Sequence, residues 1–135
     1  MSAFALKIVT PDGLLFDGPA EELTVRTTSG DMGILAGHCN CVVPLGMGQA
    51  VVRMDGKKRY AACIGGMLSV MNGHVTLVPT TFEWSDSIDE KRAEASEQRA
   101  KKVLEDKDSS DTEIRLAEAR LKRALVRKSV ANNHK

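Results

Sequence analysis

Beyond Trp84 the chain contains no glycine, no proline and no aromatic residue through Lys135. No aromatic residue there offers a base-stacking platform. Aromatic residues are sparse throughout, at 4% of 135 residues. Cysteine is limited to Cys39, Cys41 and Cys63, an odd number without framework spacing. That argues against a disulfide scaffold and for reduced thiols in a cytosolic setting. No apolar run approaches the roughly 20 residues a membrane span needs, so any membrane link is expected through a partner. Residues Met1–Lys7 place no basic region ahead of an apolar core, and no signal peptide is expected there. The net charge of +1 excludes a polyelectrolyte.

The length fits one ordinary domain, or a small domain with an appendage. Charge distribution favours the second. Residues 1–85 carry 13 charged side chains and residues 86–135 carry 24. The change falls within Glu83–Ala93, giving an N-terminal domain at 1–85 and a C-terminal segment at 86–135. From Arg115 onward there are seven Lys/Arg and one Glu, so that end is basic.

In the first part, Phe4, Leu6 and Ile8 alternate with Ala5, Lys7 and Val9, and Leu23, Val25 and Thr27 alternate with Thr24, Arg26 and Thr28. This is the period of half-buried strands. Pro11-Asp12-Gly13, Asp55-Gly56 and Asn72-Gly73 supply turns, the last two with the positive φ a two-residue hairpin requires. Strands are predicted near 3–10, 14–17, 20–28, 42–47, 49–55, 57–64, 66–71 and 74–79, forming an antiparallel sandwich or barrel. The glycine-rich stretch Ser29–His38 reads as a structured connection. It lacks the Gly-Lys-Ser/Thr ending of a phosphate-binding loop.

His38, Cys39 and Cys41 could be read as metal ligands, since imidazole and thiolates suit zinc. A fourth ligand is missing, and a buried cysteine is commonly a small apolar filler. No metal site is assigned. His38 and His74 lack an evident acid partner, and no nucleophile motif occurs, so no catalytic residue is assigned.

The second part reads as two helices. Ser87–Glu90 has the capping-box form and opens a helix to about Lys107. Asp108–Asp111 breaks it, and Ser110–Glu113 opens a second helix to about Val130. So short a connection predicts an antiparallel hairpin. Its facing seams are thin: Ala93, Ser96, Ala100 and Val103 against Ile114, Ala117, Leu121 and Ala124. Most of the Glu and Lys residues read as solvated faces with i,i+4 pairs. The arginines are more ordered. Asp89, Arg92 and Arg99 share one stripe, and Arg120, Arg123 and Arg127 another. Guanidinium groups suit bidentate recognition of phosphate or carboxylate, although solvated helices account for the same composition.

Three motifs together resemble the epsilon subunit of bacterial F-type ATP synthase, over essentially the whole chain. Gly30-Asp-Met-Gly-Ile-Leu-Ala-Gly-His38 is similar to the family's Gly-Glu-x-Gly-Ile-x-Pro-Gly-His. Gly65-Gly66-Met-Leu-Ser-Val70 is similar to its Gly-Gly-Phe-x-x-Val. Ile88-Asp89-Glu90-Lys91-Arg92-Ala93 resembles the Ile/Leu-Asp-x-x-Arg-Ala motif of ATP-binding members. The chain departs from the pattern at Ala36, at Cys39-Asn40-Cys41 and at the bulky Trp84.

The resemblance implies a ten-stranded, two-sheet β-sandwich followed by an α-helical hairpin. It implies a central-stalk rotor subunit that is not an enzyme by itself, binding the gamma subunit and resting on the c-ring. Asp31, and less directly His38, match the c-ring contact. In a compact hairpin ATP would be a regulatory ligand, with no catalytic cofactor, held by Glu83, Ile88, Asp89, Arg92, Ala93, Arg99, Arg123 and Arg127. Arg120 could substitute if the register differs. An extended hairpin would inhibit hydrolysis, its basic helix (Arg115, Arg120, Lys122, Arg123, Arg127) reaching the catalytic alpha/beta hexamer. The implied location is the cytoplasmic face of a bacterial membrane, peripheral and through the complex, with no nucleic-acid partner. Competing readings are a stand-alone sandwich with a basic arm for an anionic partner, and a small metalloenzyme using His38 and Cys39.

Overall fold

Side-chain alternation decides which face of each strand turns inward, and two sheets bury those faces against each other. The computed structural model describes residues 2–133. It contains ten strands, β1 (Phe4–Thr10), β2 (Gly13–Ala20), β3 (Glu22–Thr27), β4 (Gly30–Leu35), β5 (Cys41–Pro44), β6 (Met47–Met54), β7 (Lys57–Ile64), β8 (Met67–Met71), β9 (His74–Val78) and β10 (Thr81–Trp84). A single 3-10 turn, Ser85–Ser87, leads to α1 (Glu90–Glu105) and α2 (Asp111–Asn133). The chain forms two compact units, Met1–Trp84 and Ser85–Lys135.

The first unit is a sandwich of two five-stranded sheets, ordered β2-β1-β9-β8-β5 and β10-β7-β6-β3-β4. All pairings are antiparallel except β1 with β9, where Leu6 faces Val75 and Ile8 faces Leu77. Phe4, Leu6 and Ile8 turn inward from β1, and Leu23, Val25 and Thr27 from β3. Ile34, Val52, Leu68, Val70 and Leu77 close the core. Full burial of each large aliphatic side chain contributes roughly 1.5–3 kcal/mol. Asp55 and Asn72 both have φ of +51°, and Gly56 and Gly73 follow at +74° and +83°. These are the mirror-image hairpin turns that Asp-Gly and Asn-Gly predict.

Two strands escape the sequence reading. Gly30–Leu35 is not a mere connection: it pairs with β3 from Thr27↔Gly30 to Glu22↔Leu35. Its glycines hide the alternation that Met32 and Ile34 carry inward. Thr27 Oγ1 donates to Gly30 O at 2.7 Å and accepts from Ser29 N at 3.1 Å, closing the turn. The short β10 pairs Phe82 with Cys63 and Trp84 with Ala61.

In the second unit the first cap lies elsewhere than predicted. Ser87 belongs to the 3-10 turn, and Asp89 is the N-cap, accepting from Arg92 N at 3.1 Å. Glu90 is then the first residue of α1 and cannot complete a box from the N3 position. Helix α1 ends at Glu105, short of Lys107, and Ser109 Oγ donates at 2.7 Å to the Val103 carbonyl, which also accepts from Asp106 N at 3.3 Å. The second capping box forms as expected: Glu113 N donates to Ser110 Oγ at 3.1 Å, and Ser110 N to Glu113 Oε1 at 3.2 Å. Helix α2 continues past Val130 to Asn133, and Lys135 lies outside the described residues.

A fragment ending at Ser85 is expected to fold by itself, because its sheets complete their pairing by Trp84. Circular dichroism checks this. An unstructured fragment would show that the hairpin belongs to the sandwich core.

Candidate functional site

The hairpin is joined along alanines. Ala93 and Ala100 of α1 are buried, as are Ala117 and Ala124 of α2. Ser96, Val103, Ile114 and Leu121 are half-buried beside them. The seam also holds a charge that the sequence reading assigns to a solvated face. Glu97 is only 5% exposed. Lys128 Nζ donates to its Oε2 at 2.5 Å, and Lys101 Nζ lies 3.0 Å from Oε1. Lys128 also pairs with Glu94, which accepts from Gln98 at 3.0 Å.

These pairs set the protonation states. Hydrogen bonds from Lys128 and then Lys101 hold the Glu97 carboxyl at about 2. The Lys128 hydrogen bond also depresses Glu94, and Glu94 and Glu97 raise Lys128. A carboxylate whose folded pKa lies below its unfolded value of 4.5 contributes stability that is complete above 4.5 and lost as pH falls through about 2. The sequence signal for Glu97 is its helical phase, one turn from Ala93.

The same pairs fix the sides of the hairpin. An α-helix turns about 100° per residue. Glu94 and Lys101 therefore lie to one side of the Ala93–Ala100 line, and Arg92 and Arg99 to the other. On α2, Lys128 and Leu121 lie to one side of the Ala117–Ala124 line, and Arg120, Arg123 and Arg127 to the other. Because Lys128 meets Glu94 and Glu97, both arginine rows fall on the opposite flank. Arg92, Arg99, Arg120 and Arg123 are exposed, and Arg127 is half-buried. Among the described residues those four exposed arginines form no ion pair. Arg115 and Lys122 are exposed on the outer side of α2, away from its alanine line.

The remaining candidates belong to several elements of the two units. Asp89 is exposed but engaged as N-cap, Ile88 is half-buried ahead of it, and Ala93 sits in the seam. Glu83 lies in β10 opposite Ala62. Trp84 packs edge-on to Phe82, with centroids 5.0 Å apart, and under the Arg59 guanidinium at 3.8 Å. Asp31 is exposed on β4 and pairs with Arg26 Nε at 2.7 Å. His38 is half-buried after β4, its Nδ1 2.8 Å from Cys39 O. Cys39 is exposed, Cys41 half-buried, and Cys63 buried with its thiol pushed up to about 12 by desolvation. Among the described residues no three His, Cys, Asp or Glu side chains group as a metal site. None of the described helices is long and apolar enough to cross a membrane.

One further surface is not legible in the sequence. Val42, Met67, Met71 and Val78 are 43–59% exposed on the outer face of the β2-β1-β9-β8-β5 sheet, with Met67 paired to Val78. Pro44, beside Met67, extends it. Ser69, opposite Val42 and Thr76, and His74, opposite Met71, interrupt the apolar side chains of this face; exposed apolar groups of this kind suit a partner.

The class defined by these features is a two-sheet β-sandwich followed by a helical hairpin with one basic flank. Family models agree with it. The beta-sandwich domain of the ATP synthase delta/epsilon chain matches residues 3–85, and the long alpha-helix domain of the same chain matches residues 86–132. The chain belongs to the ATP synthase delta/epsilon chain family. The ATP synthase epsilon chain of Ruminococcus albus is 44% identical over 133 residues, covering 98% of both chains. That of Bacillus velezensis is also 44% identical over 133 residues, covering 98% of this chain and 100% of its own. In fold, the chain resembles one in the Euglena gracilis mitochondrial ATP synthase OSCP/F1/c-ring structure. The TM-score is 0.83 at 24% identity, over 99% of this chain and 83% of that one.

Proposed function

We propose that the chain is a non-catalytic subunit of the central stalk of F-type ATP synthase, joining gamma to the c-ring. The relatives' identity over nearly the full length supports this reading. The apolar outer face around Met67 and Val78 is the surface suited to gamma, because its burial needs no polar partner. Asp31 and His38, on β4 and the loop that follows it, are the contacts offered to the c-ring. Membrane association is then peripheral and indirect, on the cytoplasmic face of a bacterial membrane.

The hairpin is the regulatory part of this proposal. The observation that carries it is the arginine flank: two rows of guanidinium groups, one from each helix, exposed at Arg92, Arg99, Arg120 and Arg123 and half-buried at Arg127, on the side away from the Lys128 pairs. In the closed hairpin that flank receives the phosphates of ATP, with Arg92 and Arg99 from α1 and Arg123 and Arg127 from α2. Asp89 contributes by capping the helix that carries Arg92. Ala93 contributes by letting the helices approach. Opened, the basic residues Arg115, Arg120, Lys122, Arg123 and Arg127 reach acidic segments of the alpha/beta hexamer and inhibit hydrolysis. Removing residues 88–135 from the assembled complex is expected to raise ATP hydrolysis, measured by a coupled assay. Unchanged hydrolysis would remove the brake from the proposal while leaving the stalk role standing.

A further inference from the structure

The alanine seam alone buries little apolar surface, yet the two helices meet through a buried carboxylate. We infer that Lys128, Glu97 and Glu94 form a charge clamp that holds the hairpin closed without any ligand. The clamp is independent of the ATP reading. Lys128 and Glu97 are 31 residues apart and join different helices. Lys101 and Glu97 are an i,i+4 pair within α1. Opening the hairpin therefore leaves the Lys101–Glu97 pair intact and removes both contacts of Lys128. The clamp lies on the flank opposite the arginines, so altering it leaves that flank's charges in place.

The physics of buried pairs gives the clamp a test by sign. Removing one partner leaves the other charge under-paired, whereas removing both is less costly. Lys128→Met keeps most of the side-chain length and leaves the 5%-exposed Glu97 held by Lys101 alone. Glu97→Gln in that background removes the under-paired charge. If Lys128 served only as packing, Met would replace it without effect, and a second substitution in the seam could only add to the damage.

The experiment is hydrogen exchange with peptide resolution on the full chain. It compares wild type, Lys128→Met, Glu97→Gln and the double variant, with no nucleotide present. Lys128→Met is expected to speed exchange across 90–105 and 111–133 by about tenfold or more, with β1 and β9 unchanged. The double variant is expected to exchange more slowly than Lys128→Met alone in the same peptides. Wild-type exchange in Lys128→Met, or a double variant exchanging as fast as or faster than Lys128→Met, would overturn the clamp.

Discussion

Gly66→Ala is expected to destabilise the sandwich more than any other glycine substitution in the chain. Gly66 precedes β8 with φ of +99°, in the region L side chains avoid. A Cβ there would lie 2.0 Å from Val78 O and 2.6 Å from Pro79 Cα. Both are backbone atoms, so no side chain can rotate aside. The Gly66 carbonyl also accepts from Leu45 N at 2.8 Å, and the next residue, Met67, pairs with Val78. Relief would have to pull β8 from β9 or break the link toward β5. Backbone strain of roughly 1–2 kcal/mol and overpacking of roughly 1–3 kcal/mol together take a large share of a typical stability of about 5–15 kcal/mol. Urea unfolding measures the loss. Gly13→Ala is the control, because Gly13 has φ of +121° but nothing within 4 Å of the place its new methyl group would occupy. It should show backbone strain alone. Equal losses in the two variants would mean that the close approach at Gly66 is unimportant.

The turns that announce themselves by sequence are those where the backbone demands positive φ from two successive residues. Asp55-Gly56 and Asn72-Gly73 leave few alternatives, so the strands beside them are legible. The turn before β4 works differently. Thr27-Thr28-Ser29-Gly30 is closed by a threonine hydroxyl bridging to the glycine, and Thr10-Pro11-Asp12-Gly13 is closed the same way. Recognising Thr-x-x-Gly at the second site turns the glycine-rich connection into a hairpin. β10 is only four residues long, too short for alternation to speak.

Helix caps show a similar limit. Ser110 and Glu113 form their box because nothing nearby competes. At α1 a 3-10 turn takes Ser87, and Asp89 caps instead. The arginine rows can be read from spacing, but their common flank cannot. That needs the Lys128 contacts, which link residues far apart in sequence. Glu97 is misread when charge type is weighed ahead of helical phase. In a seam of alanines, a carboxylate at the right phase is buried if a lysine from the other helix reaches it.

Replacing Arg92 and Arg99 together by Ala is expected to abolish ATP binding at concentrations that saturate the wild type. The two side chains are seven residues apart on α1, so they project from nearly the same line, about two turns apart along the helix. Both are exposed, and among the described residues neither forms an ion pair. Their charges are thus available to a polyphosphate, and the phosphates would take the place of water rather than of a carboxylate. Each charge-assisted contact contributes roughly 1.5–3 kcal/mol. Losing two corresponds to more than about a hundredfold in Kd. Fold stability should change little, because Asp89 accepts from the backbone N of Arg92 and that bond survives truncation. Lys101 is unsuitable as a control, since it pairs with buried Glu97 and its loss would disturb the seam itself. Lys91 is exposed and off the arginine stripe, so Lys91→Ala should bind as wild type does. A ligand that binds only the closed hairpin stabilises it by about 2.7 kcal/mol at 100 times Kd. Under the proposed regulatory role, that linkage would let a cell's ATP level set how often α2 is released. Calorimetric titration of the full chain with ATP reads all three proteins. No heat with the wild type at millimolar ATP, or the same affinity in the double arginine variant, would reduce the flank to a solvated surface.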